Sequence, residues 1–109
     1  MEVVWSRLAK ETLISILEYV ENNFNSTIAW KAYCKIREHV DSLALFPRIG
    51  MRDSALSTPK MEIRYIVNAS NIIHYGIIEN TIIIISIFDT RRSPDTIDKV
   101  VKKFIEHYK

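Results

Sequence analysis

Arg64 and His74 are the residues of this chain whose types best suit work on a phosphate group. A guanidinium holds phosphate oxygens through paired hydrogen bonds, and an imidazole exchanges a proton near neutral pH. They cooperate only if the fold sets them side by side; the plainer reading is a polar surface cluster shared with Glu62. A second basic group, Arg91-Arg92-Ser93-Pro94, follows Asp89. Two guanidinium groups there could grip a phosphate or a carboxylate-bearing partner, or simply pair with Asp89 and Asp95. Cys34 has no sequence-local base to activate it as a nucleophile, and a single cysteine excludes an intramolecular disulfide. His39, His74 and His107 stand singly, so their spacing announces neither a metal site nor a cofactor. Gly50 and Gly76 stand alone and form no phosphate-cradling loop.

These groups must be positioned by the elements around them. Glu2 to Trp5 reads as a short strand, and Ser6 can cap a following helix. Ala9, Leu13, Ile16, Leu17, Val20 and Phe24 recur at the three-to-four spacing of one helical face, ending near Asn22 and Asn23. A second stripe, Ala29, Ala32, Tyr33, Ile36, Val40 and Leu43, follows a fresh cap among Asn25, Ser26 and Thr27 and stops before Pro47. The short break predicts an antiparallel helical hairpin. From Phe46 to Lys60 the periodicity stops, which predicts a surface loop. Met61 to Val67, Asn71 to Ile78 and Thr81 to Asp89 are rich in β-branched residues and predict three strands of an antiparallel meander, joined at Asn68-Ala69-Ser70 and Glu79-Asn80. Ser93-Pro94-Asp95 opens a last helix with Ile97, Val100, Val101, Phe104, Ile105 and Tyr108 on one face. The expected order is β-α-α-β-β-β-α, an α+β fold.

Counting across those hairpin loops places Arg64 opposite His74 and His74 opposite Ile85. One sheet face then collects Ile63, Tyr65, Val67, Ile73, Tyr75, Ile77, Ile82, Ile84, Ser86 and Phe88, and should pack on the helical hairpin. The other holds Glu62, Arg64, Ile66, Ile72, His74, Gly76, Thr81, Ile83, Ile85, Ile87 and Asp89. Its block of isoleucines needs a cover, either the C-terminal helix or a segment of a partner. Whether Trp5 and Trp30 belong to the core or to an interface stays open at this point.

The 109 residues, 48% hydrophobic and 26% charged with only 2 Gly and 3 Pro, suit one folded domain over 1–109. The formal charge of +2 is spread evenly, 8 basic and 7 acidic groups in residues 1–60 against 7 and 6 in residues 61–109. Such a balance argues only weakly for a nucleic-acid partner, whose usual footprint is a more basic domain with clustered Lys and Arg. The apolar run Ile82 to Ile85 is far short of the roughly 18 residues of a membrane span. The N-terminus has no basic, apolar leader, so the expected setting is the cytoplasm.

Taken in order, Val3-Val4-Trp5-Ser6 with Ala9, then Leu13, Ile16, Tyr19 and Val20, then Ala29, Ile36 and Leu43, then Phe46-Pro47-Arg48-Ile49-Gly50, carry a likeness across most of the chain. Arg64, Ile72-Ile73-His74-Tyr75-Gly76-Ile77, Ile84, Ile87 and Arg91-Arg92-Ser93-Pro94 complete it. This set resembles the RelE/ParE superfamily of toxins from bacterial toxin–antitoxin (plasmid stabilisation) modules, its ParE branch in particular. The resemblance implies a helical hairpin on a sheet, no cofactor, and a cognate antitoxin whose disordered segment folds along the toxin. ParE-type members poison DNA gyrase by binding. RelE-type members enter the ribosome and cut mRNA, using basic residues near the middle strands. The positions of those residues fall here at Ile63, Tyr65 and Ile72, and Asp89 stands where a histidine often precedes the double arginine. Arg64 and Arg92 fit arginines common in the ParE branch. The resemblance thus implies a gyrase-binding toxin, with Arg64, Ile66, Ile72, His74, Ile83, Ile85, Arg91 and Arg92 as the surface for target or antitoxin. The alternatives are a ribosome-dependent endoribonuclease using Arg64, His74 and Arg92, or a non-toxic member that only binds a partner.

Overall fold

A computed structural model describes residues 1–108. The elements are β1 (Glu2–Trp5), α1 (Arg7–Asn23), α2 (Ser26–Ser42), β2 (Met51–Arg52), β3 (Glu62–Asn68), β4 (Asn71–Ile78), β5 (Thr81–Asp89) and α3 (Pro94–His107). The expected order holds with one addition, β2, a two-residue strand inside the segment that reads as loop. The sheet has five strands in the order β1-β5-β4-β3-β2. It is mixed and not purely antiparallel, because β1 runs parallel to β5. The helical hairpin carries the chain from one sheet edge, at β1, to the other, at β2.

Local chemistry sets the helix starts. The Ser6 hydroxyl accepts from the Ala9 N–H at 3.0 Å and donates to the Ile85 carbonyl at 3.0 Å, so one side chain caps α1 and ties it to β5. Asn25 caps α2 by accepting from the Ile28 N–H at 2.9 Å. Ser93 makes no side-chain cap; α3 instead begins on Pro94, whose fixed φ suits the first helical position, with Asp95 in the positive first turn. Among the described residues no helix is long and apolar enough to cross a membrane.

Two corrections of register decide which side chains meet. The β3–β4 turn closes over Ala69 and Ser70 alone, with Asn68 paired to Asn71, so Arg64 lies opposite Tyr75 and His74 opposite Tyr65. Ala69 and Glu79 both take φ of 53°, the left-handed first position of a tight hairpin turn, without a glycine. One residue of slip turns every β3 side chain to the opposite face. On β5 the register shifts between His74 and Tyr75: Tyr75 pairs with Ile84, His74 with Ser86, and Ile85 is left as a bulge with no opposite residue. The Thr12 hydroxyl of α1 accepts the Ile87 N–H at 3.0 Å, beyond the end of β1, where no neighbouring strand takes it.

The core therefore splits into two layers. On the hairpin side Ala9, Leu13, Ile36, Val40 and Leu43 pack on Ile66, Ile73, Tyr75, Ile77, Ile82, Ile84 and Ile87, with Val3 and Trp5 at the rim. On the other side Met61, Ile63, Ile85 and Phe88 pack on Ile97 and Val101 of α3. The cover for the second face is thus the chain's own C-terminal helix. Phe24, although in phase with the α1 stripe, is 64% exposed, and so is Trp30.

Candidate functional site

The fold does not gather the expected site into one surface. Arg64 and Ile66 lie on the hairpin side, whereas Ile72, His74, Ile83 and Ile85 lie on the side of α3. Ile66, His74, Ile83 and Ile85 are all buried, and Ile72 is half-buried. The proposed Arg64–His74 pair dissolves, because the two side chains point to opposite faces of the sheet.

Arg64 is committed to the protein itself. Its Nε donates to Glu62, and its Nη1 donates to the carbonyls of Gly50 at 2.6 Å and Arg48 at 3.2 Å. Opposite it, the Tyr75 hydroxyl donates to the Pro47 carbonyl at 2.8 Å and accepts the Gly50 N–H at 3.0 Å. Together they clamp the Pro47–Gly50 turn onto the sheet and satisfy backbone groups that no strand pairs. The Arg64 guanidinium, through its hydrogen bond, holds the Glu62 carboxyl below the usual carboxylate range against the opposing effect of burial.

His74 is 2% exposed and its Nδ1 has no hydrogen-bond partner. Desolvation lowers its pKa to about 4, against a smaller opposing pull from Asp53. A ring sealed between the sheet and α3 cannot reach an RNA phosphate.

The open chemistry is elsewhere, in a groove of about 900 Å³ between α1 and the C-terminal end of β5. Ile16, Tyr19, Val20 and Phe24 line its helical wall, and Ile87, Phe88, Asp89, Arg91 and Arg92 its strand wall. Asp89 accepts from Arg91 through both carboxylate oxygens, each at 2.9 Å, and from the Arg91 N–H at 2.7 Å. This pairing holds Asp89 below the usual carboxylate range and raises Arg91, with the Tyr19 hydroxyl adding to the latter. Arg92 makes no salt bridge among the described residues; its guanidinium lies 5.1 Å over the Phe88 ring. The groove thus presents an apolar wall, the Asp89–Arg91 ion pair, the Glu11 carboxylate engaged by Arg7, and Arg92, which lies within the field of Asp89 but makes no salt bridge among the described residues.

The model of the family described as "ParE toxin of type II toxin-antitoxin system, parDE" matches residues 3–94. The chain belongs to this family. Among solved structures, a chain titled "Chromosomal ParDE TA system from P. aeruginosa" has the same fold, with a TM-score of 0.66 and 21% sequence identity over 82% of this chain and 95% of that one. Among curated proteins no match was found.

Within the ParE frame, Arg91 and Arg92 are the expected site residues that the fold leaves accessible. Sequence reading missed Tyr19 and Phe24 as groove residues and Tyr75 and Gly50 as the partners of Arg64. One signal was present: Phe24 closes the α1 apolar stripe at the break between the two helices, the turn of the hairpin. The His74 environment has its own consequence. In the unfolded chain the ring titrates near 6.5, in the folded one near 4, so the unfolded state binds the proton first as the pH falls. Its contribution is intact above about pH 6.5 and falls by about 1.4 kcal/mol per pH unit down to the folded value. In chelator-containing buffer, urea unfolding should give about 2 kcal/mol less stability from this ring at pH 5 than at pH 8. The slope should flatten in His74→Gln; an equal slope in both proteins would contradict the assignment.

Proposed function

We propose that this ParE-family chain is the toxin of a type II module, that it arrests growth in the bacterial cytoplasm by binding DNA gyrase, and that a cognate antitoxin neutralises it by laying a folding segment in the α1–β5 groove. The observation that carries the reading is the groove itself. Ile16, Val20 and Phe24 offer an apolar wall, and Arg92 offers a cation that makes no salt bridge among the described residues. An amphipathic segment with an acidic residue at its edge matches both. Inhibition by binding needs neither cofactor nor acid–base residues. Burial of His74 and the engagement of Arg64 with Glu62 and the Arg48 and Gly50 carbonyls speak against the mRNA-cutting alternative.

A supercoiling assay with purified gyrase and relaxed plasmid tests this. The chain should inhibit supercoiling in a dose-dependent way, and equimolar antitoxin should restore it. Unchanged supercoiling at a large excess of the chain would contradict the reading.

A further inference from the structure

Spacing along the sequence announces no metal ligands, yet folding brings three together from distant segments. Asp53 follows β2, His74 sits mid-strand in β4 and Asp98 lies near the start of α3, and one ligand atom of each lies within 4.8 Å of the others. His74 is almost wholly buried, has an unpartnered Nδ1, and presents a ring nitrogen to the two carboxylates. Neither carboxylate makes a salt bridge among the described residues. Asp53 spends Oδ1 on the Leu56 N–H at 3.1 Å, which fixes the carboxylate in place. Two carboxylates this close repel each other, and the imidazole beside them is held out of water with Nδ1 unpartnered, a combination that a bound cation would relieve.

We infer that Asp53, His74 and Asp98 form a site for a divalent first-row transition ion that fastens α3 to the sheet. One imidazole nitrogen and two carboxylates, with water completing the shell, suit Zn²⁺ or Mn²⁺. A tetrahedral ion with bonds of about 2.1 Å sets its donors roughly 3.4 Å apart, so the groups must close by little more than about an ångström. Asp98, exposed at the start of a helix, has the freedom to do so. The ion would join three elements that sequence places 21 and 24 residues apart, independently of what the toxin binds.

The test uses the full chain after chelator treatment. Titration calorimetry with ZnCl₂ should show saturable 1:1 binding, and Zn²⁺ at a hundredfold excess over its Kd should raise the thermal midpoint by roughly 10 °C. Asp98→Asn, a surface change, should weaken binding by at least about tenfold and remove the thermal shift, and His74→Gln should do the same where it folds. Co²⁺ should give visible ligand-field bands that vanish in Asp98→Asn, while Cys34→Ser leaves them unchanged. No saturable binding of Zn²⁺ or Mn²⁺, or binding unaffected by Asp98→Asn, would overturn the site.

Discussion

Gly50→Ala is expected to destabilise the protein by about 3 kcal/mol or more, the upper range for forcing atoms into a packed site. A Cβ at this buried position would lie 2.6 Å from the Tyr75 hydroxyl oxygen, 2.7 Å from the Tyr65 carbonyl oxygen and 2.9 Å from Tyr75 Cε1. The backbone oxygen belongs to a paired strand and cannot withdraw. At about 4 °C of midpoint per kcal/mol, the melting temperature should drop by roughly 12 °C. Tyr75→Phe alone should cost about 1–3 kcal/mol, because the Gly50 N–H and the Pro47 carbonyl lose their partner. The double variant should be less destabilised than the two losses summed, since removing the hydroxyl relieves part of the clash. Additive losses by urea unfolding would show that Gly50 and Tyr75 are not coupled in this way.

Arg92→Glu is expected to separate function from stability. The guanidinium lies over Phe88 at the groove and has no carboxylate partner among the described residues, so its loss removes about 0.5–1 kcal/mol of cation–π energy. For an acidic partner segment, the reversal replaces an attraction with a like-charge contact in a partly enclosed groove. A loss of about 2.7 kcal/mol, a hundredfold in Kd, is expected. Fluorescence anisotropy with a labelled antitoxin segment measures it directly. Arg91→Ala should weaken the same binding by less, because it changes the groove charge by one where Arg92→Glu changes it by two, although it leaves Asp89 without its ion-pair partner. Wild-type affinity in Arg92→Glu would remove the groove from the account.

Sequence periodicity was sufficient wherever the physics is local. The Ser6 cap, a second cap among Asn25, Ser26 and Thr27, the stop before Pro47, and the bounds of β4 and β5 all follow from residue type and spacing. The errors arise where a single residue changes a long-range relation. Whether Asn68 belongs to the turn or to β3 decides which face Arg64 occupies, and nothing in Asn68-Ala69-Ser70 distinguishes the two, since no glycine marks the left-handed position. The Ile85 bulge sends Ile87 to the hairpin side and Phe88 to α3, and a run of four isoleucines carries no alternation to reveal it. The parallel pairing of β1 with β5 joins residues some 80 positions apart, and β2 is too short for any period. The exposure of the double arginine was legible because it closes a strand and opens a helix, a junction that lies at the surface. The Arg64 clamp was legible only in its Glu62 half, because its other partners are the backbone carbonyls of Arg48 and Gly50.

Action on gyrase can be separated from action on the ribosome by pulse labelling of DNA and protein synthesis in bacteria during the minutes after tightly controlled induction. DNA synthesis should fail first, with protein synthesis following, and co-induced antitoxin should prevent both. Failure of protein synthesis first, with DNA synthesis sustained, would contradict the gyrase reading and point to the ribosome.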